Sequence, residues 1–397
     1  MLLLTVSPWL LLLIAMLFVI WLRGPRVRVC GPPRPEDAPL VSVIVPARNE
    51  AENISTCVAS LLNSVYPRRE IIVVDDDSVD GTGDILRILE EHSKGGLRII
   101  TGEPLPAGWL GKPWACWQGY RRASGKLLLF TDADTRHDDA LLGHAVGALL
   151  KREADLVSVL PRQLLVTFWE RLIMPHIFAL IMFRYPDLRR VNRARDPRNV
   201  IANGQFLLIR REAYEAIGGH EGLRAEVVED QAIAQRVLAS GRRLFVAHAE
   251  ELMETRMYRS LRGIIEGWSK NLATAMRRAG PAWLGSATPW VAASLIAVLW
   301  VIPPAILMVS FVVSIEPRLE AWTVLVTSLS LFFWLALLIR MRVPPMFSLG
   351  YPFAALSLIA LIIRSGRLGS RIEWKGRAYR LDTPQLSASA TETGSRV

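Results

Sequence analysis

The chain has 397 residues, a formal net charge of +10, 51% hydrophobic residues and three cysteines. That length allows one large domain with appendages, and the apolar excess, concentrated at the two ends, argues against a purely soluble enzyme. Cys30, Cys57 and Cys116 lack ligand-like spacing, which argues against a disulfide framework and a zinc site and suits a reducing compartment.

Leu2–Leu22 is an almost unbroken apolar run without a charge, about 20 residues and long enough to cross a hydrocarbon core. No Lys or Arg precedes it, whereas Arg23, Arg26, Arg28 and Arg34 follow. Residues 1–23 therefore read as an uncleaved anchor whose C-terminal side is cytoplasmic. Pro32, Pro33, Pro35 and Pro39 stiffen a linker over residues 24–39.

The middle of the chain, residues 40–280, alternates strands and helices. Val41–Val45 is rich in β-branched residues and reads as a buried strand. Ala51–Asn63 follows with helical spacing of Ile54, Val58, Leu61 and Leu62. Ile71–Val74, Leu97–Ile100 and Leu127–Phe130 are further strands, with a helix over Thr82–Glu91. This order predicts an α/β fold, a mostly parallel sheet flanked by helices on both faces. Ligands bind such sheets beyond the carboxyl ends of the strands.

Leu164–Tyr185 is strongly apolar but carries Glu170, Arg171, Pro175 and His176, and is predicted to lie in the membrane interface. A second interfacial helix is expected over residues 255–278. Trp290–Val313, Ala321–Ile339 and Met346–Ile363 are each long enough to span, with Trp290 and Trp322 at segment edges. The tail, residues 364–397, is basic through Arg364, Arg367, Arg371, Lys375, Arg377 and Arg380, and after Asp382 its Ser, Thr and Ala predict disorder. Three full crossings would place those cations outside, against the positive-inside rule. One segment is therefore expected not to cross, and Pro303-Pro304 marks the first as the exception. The Arg clusters flank apolar segments, so they face anionic lipid, and no nucleic-acid partner is expected.

No Gly-x-Gly-x-x-Gly follows the first strand, and Gly111-Lys112 lacks the upstream glycine of a P-loop. Phosphates therefore need another counter-charge. Asp132-Ala133-Asp134 closes an apolar strand, and alternate residues on an extended segment point the same way. Magnesium is often held by one or two carboxylates plus substrate phosphates, so a divalent metal, magnesium or manganese, is expected there. Asp75-Asp76-Asp77-Ser78-Val79-Asp80-Gly81-Thr82 leaves another strand. Burying adjacent acids for stability alone is costly. Asp75 and Asp76 are therefore assigned donor contacts, while Asp80 or Ser78 caps the next helix.

Val43-Ile44-Val45-Pro46-Ala47-Arg48-Asn49-Glu50, Val73-Val74-Asp75-Asp76-Asp77-Ser78, Asp132-Ala133-Asp134 and Glu229-Asp230, in that order, resemble a family 2 glycosyltransferase of the GT-A fold. The resemblance covers roughly Leu40 to Met276. It implies a nucleotide-sugar donor, most often UDP-linked, with Pro46, Ala47, Arg48 and Glu50 around base and ribose beside Asp75 and Asp76. It places Asp132 near ribose and metal, Asp134 on the metal, and Asp230 as the base of an inverting transfer. A positioned carboxylate can take a proton from an acceptor hydroxyl, and a metal offsets the charge of a diphosphate leaving group. Lys112 lies where related enzymes have Gly-Lys before a helix, implying a donor contact. Asn203-Gly204-Gln205 resembles the segment lining the sugar pocket, which brings in Gly204 and Gln205. His220, after Gly218-Gly219, is a candidate for approach to donor or acceptor. At least two of Trp109, Trp114 and Trp117 are expected in the core, as is His248.

Processive members carry Gln-x-x-Arg-Trp after the catalytic acids. Here the region reads Glu266-Gly267-Trp268-Ser269-Lys270-Asn271, which argues against polymer synthesis. Trp268 and Lys270 are instead candidates, with Glu229, for diphosphate or acceptor. Glu254–Ser260 and Trp374–Tyr379 are similar to enzymes that glycosylate isoprenoid lipids, among them hopanoid-associated and carotenoid-acid glycosyltransferases. The resemblance thus implies a lipid acceptor at the inner face of a cell membrane, in a multi-pass protein with a cytoplasmic catalytic domain. The alternatives are a processive polysaccharide synthase and a non-catalytic nucleotide-sugar-binding membrane scaffold; the intact set of acids counts against the scaffold.

Overall fold

Val41–Ala47 (β1) is buried at every position, as a strand covered on both faces should be. The computed structural model describes residues 2–21, 24–368, 371–374 and 377–380. Leu22, Arg23, Lys375 and the Ser/Thr/Ala-rich tail lie outside the described residues. After an apolar helix, α1 (Leu2–Trp21), and β1, the chain runs α2 (Ile54–Leu62), β2 (Arg69–Asp75), α3 (Thr82–His92), β3 (Leu97–Thr101), α4 (Gly111–Arg122) and β4 (Leu127–Phe130). It continues with β5 (Thr135–His137), α5 (Leu141–Lys151), β6 (Leu156–Leu160), β7 (Arg162–Gln163), α6 (Phe168–Arg184), α7 (Leu188–Val191), β8 (Leu207–Arg210) and α8 (Arg211–Ala216). Then come α9 (Glu229–Ala239), β9 (Leu244–His248), β10 (Met253–Thr255) and α10 (Leu261–Ala279).

The main sheet has seven strands in the order β3-β2-β1-β4-β8-β6-β9. Only β8 runs antiparallel to its neighbours. The strand order reverses at β1, which pairs in parallel with β2 on one side and β4 on the other. In register, Ala47 stands beside Asp75 and Ile44 beside Phe130, so the chain leaves three adjacent strands at one edge. That is where ligands bind in open α/β sheets. α2, α3 and α5 bury one face of the sheet, and α4, α8 and α9 cover the other. α4 sits close because Gly119 has no Cβ: one added there would meet Ile44 at 2.5 Å. A small sheet, β5-β10-β7, ties the segment after Asp134 to the one entering α10.

A third apolar cluster joins α6 and α10 to the helices of the chain ends. These are α11 (Thr288–Ile296), α12 (Ile302–Ser310), α13 (Pro317–Arg340) and α14 (Tyr351–Leu368), followed by a hairpin, β11 (Arg371–Trp374) and β12 (Arg377–Arg380). Three helical stretches are long and apolar enough to cross a membrane: Gly285–Ser310, Pro317–Arg340 and Pro345–Leu368. The first runs on as one helical stretch through Pro303-Pro304. The prolines fall in the first turn of α12, after a π-helical turn over Ala297–Val301. A proline's missing N–H costs little in a first turn, and the π turn absorbs the mismatch. α14 is tied back to the α/β unit. Ser365 accepts a hydrogen bond from the Ala273 N–H of α10 at 2.9 Å, Gly366 lies against Trp290, and Phe347, just before α14, lies 5.5 Å from Phe168 of α6.

The charges inside Leu164–Tyr185 have structural partners. Thr167 and Glu170 form a capping box at the start of α6, and the Glu170 carboxylate also pairs with Arg256 at 3.0 Å. Burial alone would raise its pKa. The hydrogen bonds from Thr167, Arg256 and Val166 outweigh burial and hold it below the usual carboxylate value. His176 stacks on Trp334, ring centroids 3.5 Å apart. His248, expected in the core, is half-buried at the end of β9 and faces Glu250 at 3.5 Å.

Candidate active site

Pro46 and Ala47 end β1, and the next three residues cross to the loop after β2. Arg48 is buried. Its guanidinium donates to the main-chain oxygen of Asp76 and, at 2.9 Å, to that of Asp77, so it braces the acidic loop from below. Asn49 and Asp77 both adopt the left-handed region, φ 51° and 58°. Asn49 is held there by Ser78 Oγ at 3.0 Å and by the Val79 N–H at 2.9 Å. The Glu50 N–H donates to Thr82 Oγ1 at 2.8 Å, and the Glu50 carboxylate accepts from the Asn53 amide at 2.9 Å. Asp75 accepts from the Ser78 N–H at 3.2 Å. Asp76 is fully buried, its N–H on the Ala47 carbonyl at 2.8 Å. Asp80 takes the Thr82 N–H at the start of α3 and the Ala51 N–H at 3.0 Å. Burial would raise the Asp80 pKa, but these bonds and the Thr82 hydroxyl pull it down.

At the other half of the edge, Lys112 stands in the first turn of α4. Its Nζ lies 2.7 Å from Asp132 Oδ1 and 2.7 Å from Glu229 Oε1. Burial works against its charge, but the two carboxylates prevail and hold its pKa well above the ordinary value. Glu229, nearly buried, would be pushed up by burial, and Lys112 instead draws it down. Asp230 lies in the first turn of α9. It accepts from the Gly204 N–H at 2.9 Å and the Gln231 N–H at 2.7 Å. Burial and the adjacent Glu229 charge push its pKa up to about 6, near where a general base works best. A Cβ on Gly204 would stand 3.2 Å from Lys112 Nζ and 3.3 Å from Asp230 Oδ2, so glycine leaves this corner open.

Gln205 is buried and engaged on both ends of its amide. Its nitrogen donates to Thr255 at 3.0 Å, and its oxygen accepts from Asn203 at 3.1 Å and Gln163 at 3.3 Å. His220 is buried, with Nδ1 2.8 Å from the Tyr214 hydroxyl. Burial lowers its pKa to about 4, so it is neutral at pH 7. Trp268 on α10 directs its indole N–H to Met174 of α6 at 3.3 Å and meets the Tyr258 ring edge-on, centroids 6.5 Å apart. Lys270, two residues on, is half-buried on the same helix. Of the three tryptophans, only Trp114 is fully buried. Trp109 and Trp117 are half-buried and continue an aromatic run through Tyr120 and Tyr214 to Phe130.

Several residues of the site gave no signal in the sequence. Thr131, Thr135 and His137 form a buried polar knot beneath Asp132. Thr131 Oγ1 donates to the Gln205 carbonyl at 2.7 Å, Thr135 Oγ1 donates to the Asp132 carbonyl at 2.7 Å, and His137 Nε2 lies 3.0 Å from both hydroxyls. Burial lowers the His137 pKa to about 3. Tyr258 is the second omission. Burial, then the charges of Asp134 and Asp132, push its phenol well up. The Asp134 carbonyl accepts from Thr255 at 3.3 Å.

Among the described residues no group of three or more His, Cys, Asp and Glu side chains is arranged to hold a metal. Asp132 and Asp134 supply two carboxylates at this edge, and one or two carboxylates plus substrate phosphates are a usual magnesium ligand set.

Residues 42–218 match the family described as Glycosyl transferase family 2. A 4,4'-diaponeurosporenoate glycosyltransferase of Staphylococcus aureus (strain MRSA252) is 25% identical over 361 residues, covering 87% of this chain and 89% of the relative. The enzyme of the same description from strain USA300 is 26% identical over 266 residues, covering 65% and 68%. A mannosyltransferase from Pyrobaculum calidifontis, solved with GDP-Man and Mn2+, superposes with a TM-score of 0.51 at 21% identity, over 87% of this chain and 99% of that one, a likeness of fold. Residues 42–218 are thus a family 2 glycosyltransferase domain of the GT-A fold, carried by a chain with apolar helices at both ends.

Proposed function

We propose that this chain is an inverting, metal-dependent glycosyltransferase that moves a sugar from a nucleotide sugar, UDP-linked, to an isoprenoid-derived lipid hydroxyl at the cytoplasmic face of a membrane. The observation that carries the reading is the convergence of Asp132 and Glu229 on Lys112, with Asp230 fixed by Gly204 at the same edge. Asp75 and Asp76 would receive the nucleoside, on a loop kept in shape by Arg48. Asp134 and Asp132 would hold the metal, which when bound offsets the negative charge of the diphosphate. Lys112 brings a second cation to that diphosphate. Asp230 takes the acceptor proton as the hydroxyl attacks the anomeric carbon from the side opposite the diphosphate. A single base without a partner nucleophile suits direct displacement and inversion. Lys270 and Trp268 lie on the acceptor side, on the helix that packs against α6 and α14. The lipid acceptor is supported by the apolar cluster that joins α6, α10 and α14 and by the Staphylococcus aureus relatives, which are named as 4,4'-diaponeurosporenoate glycosyltransferases.

For topology, α1, Gly285–Ser310 and α13 would cross, while α14 lies against the catalytic unit. That arrangement keeps Arg364 and Arg367 on the cytoplasmic side, as the positive-inside rule asks. A reporter fused to the C-terminus that is active only outside the cytoplasm would overturn it.

The decisive test is turnover by detergent-solubilised full-length protein across a panel of UDP- and GDP-sugars, paired with lipid mass spectrometry of cells with and without the active gene. Transfer or donor hydrolysis that requires magnesium or manganese and stops on chelation is expected, together with a glycolipid missing from the inactive strain. Long glycan products, or no turnover with any donor, would overturn the reading.

A further inference from the structure

Residues 184–198 hold six arginines (Arg184, Arg189, Arg190, Arg193, Arg195 and Arg198) against two acids, Asp187 and Asp196. The glycosyl-transfer chemistry uses none of them. Both acids are already engaged: Asp187 accepts the Arg189 N–H and Asp196 the Arg198 N–H, each at 2.9 Å. Arg184 is structural. It donates to the Ala279 carbonyl at the end of α10, and to the Arg198 carbonyl and Asn199 side chain at 2.8 Å. The other five are exposed, and among the described residues no ion pair within 4.0 Å involves Arg190, Arg193, Arg195 or Arg198.

The stretch is firmly placed. Leu188 and Val191 are buried in the sheet's second core. The Asn192 side chain pairs with Val246 on the edge strand β9, accepting at 2.7 Å and donating at 3.0 Å. Its position relative to the apolar helices is also fixed. A Cβ on Gly24, at the exit of α1, would stand 3.7 Å from Leu188. At the other end Arg184 holds Ala279, and the next residue, Gly280, lies against Thr288 in the first turn of α11. The arginines therefore sit between the points where two apolar helices leave the α/β unit.

We propose that this arginine-rich stretch is a docking surface for the phosphates of anionic phospholipids in the surrounding bilayer, a function separate from the active site. Like charges this close repel one another unless counter-ions are supplied. A guanidinium matches phosphate geometry with paired N–H donors. Basic segments next to a membrane helix are drawn to anionic leaflets over about a Debye length, roughly 8 Å in physiological salt. The proposal needs α1 and α11 to be in membrane but not the glycosyl-transfer reading, so either can fail alone.

The test reconstitutes the full chain in nanodiscs of equimolar phosphatidylglycerol and phosphatidylcholine, extracts it gently, and reads retained lipid by native mass spectrometry. Wild-type protein is expected to enrich phosphatidylglycerol about tenfold over bulk, and raising salt to about 0.5 M should reduce that enrichment. The R190Q/R193Q/R195Q/R198Q variant should fall towards the bulk ratio, while the matching four-lysine variant keeps most of the enrichment. An unchanged ratio in the glutamine variant would overturn the proposal. In pure phosphatidylcholine discs, inorganic phosphate should not raise the thermal midpoint. A rise equal to that given by phosphatidylglycerol would assign the surface to free anions instead.

Discussion

Around Asp75–Asp80 the acids are tied into backbone, whereas beside Asp230 two carboxylates, Asp132 and Glu229, share one lysine. On the nucleoside side, Arg48, Asn49, Ser78 and Asp80 brace two loops against each other, and the hydrogen bonds lower the Asp80 pKa. On the base side, Glu229 and Asp230 stand next to each other with Lys112 as the counter-charge, and Asp230 is left with a raised pKa. A raised carboxylate pKa means that the ionised form is destabilised by its surroundings. The Asp75–Asp80 loop is thus firmly braced, and the Lys112 corner holds unfavourable charge, which the proposed reaction would use.

The largest expected consequence is at Asp230. Asp230→Asn should lower turnover by about 10²- to 10⁴-fold, the usual range for a general base, while donor affinity measured by calorimetry stays within about twofold. The sign for stability is opposite. A carboxylate whose folded pKa exceeds its unfolded value destabilises the fold once ionised, from the unfolded pKa upward through about 6. The asparagine variant should therefore melt higher at pH 7.5, by roughly 2–5 °C, and that advantage should shrink at acid pH. A variant that lost both turnover and stability would make Asp230 structural and erase the contrast between the halves.

Arg48→Ala tests the rigid half. It removes the donor to two carbonyls in the acidic loop, at a cost of about 1–3 kcal/mol. The Michaelis constant for the donor should rise about tenfold with turnover changed less than threefold. A fall in turnover alone would move Arg48 out of the nucleoside side.

Glu229→Gln probes the shared lysine. Removing that charge lowers the Asp230 pKa, and Lys112, released from one partner, reinforces the change. The acid limb of the pH–rate profile should therefore move from near 6 to lower pH, by about one unit. A limb that stays in place would show that burial alone sets it.

The edge was legible in sequence because β-branched runs ending in acids can be read from local pattern. β1, β2 and β4 follow directly from Val41–Val45, Ile71–Val74 and Leu127–Phe130. What could not be read depends on chain segments that meet only in the fold. Lys112 finds Glu229 across more than a hundred residues. Arg48 sits in the donor motif yet turns its guanidinium onto backbone. His137 has no motif and acquires meaning only beneath Asp132. Helix continuity at Pro303-Pro304 was hidden for a similar reason: the pair reads as an interruption, but a π turn just before it lets the helix continue.

The smallest expected effect is at a glycine in the region where a processive motif is missing. Burial and the charges of Asp134 and Asp132 push the Tyr258 phenol up, and its ring rests on Gly267 of α10. A Cβ at Gly267 would overlap the phenol oxygen and ring carbons, and a helix interior leaves the backbone little freedom to yield. Gly267→Ala favours the helix by about 1 kcal/mol in propensity, so α10 should remain folded while the ring is displaced. Turnover is expected to fall about three- to tenfold, as a small displacement near the reacting atoms would produce, with the thermal midpoint within roughly 2 °C of wild type. Tyr258→Phe should be milder than Gly267→Ala, because it keeps the ring in place. If the phenylalanine variant were the more damaged of the two, the hydroxyl itself would act on the base side, and the acids would have a neutral partner besides Lys112.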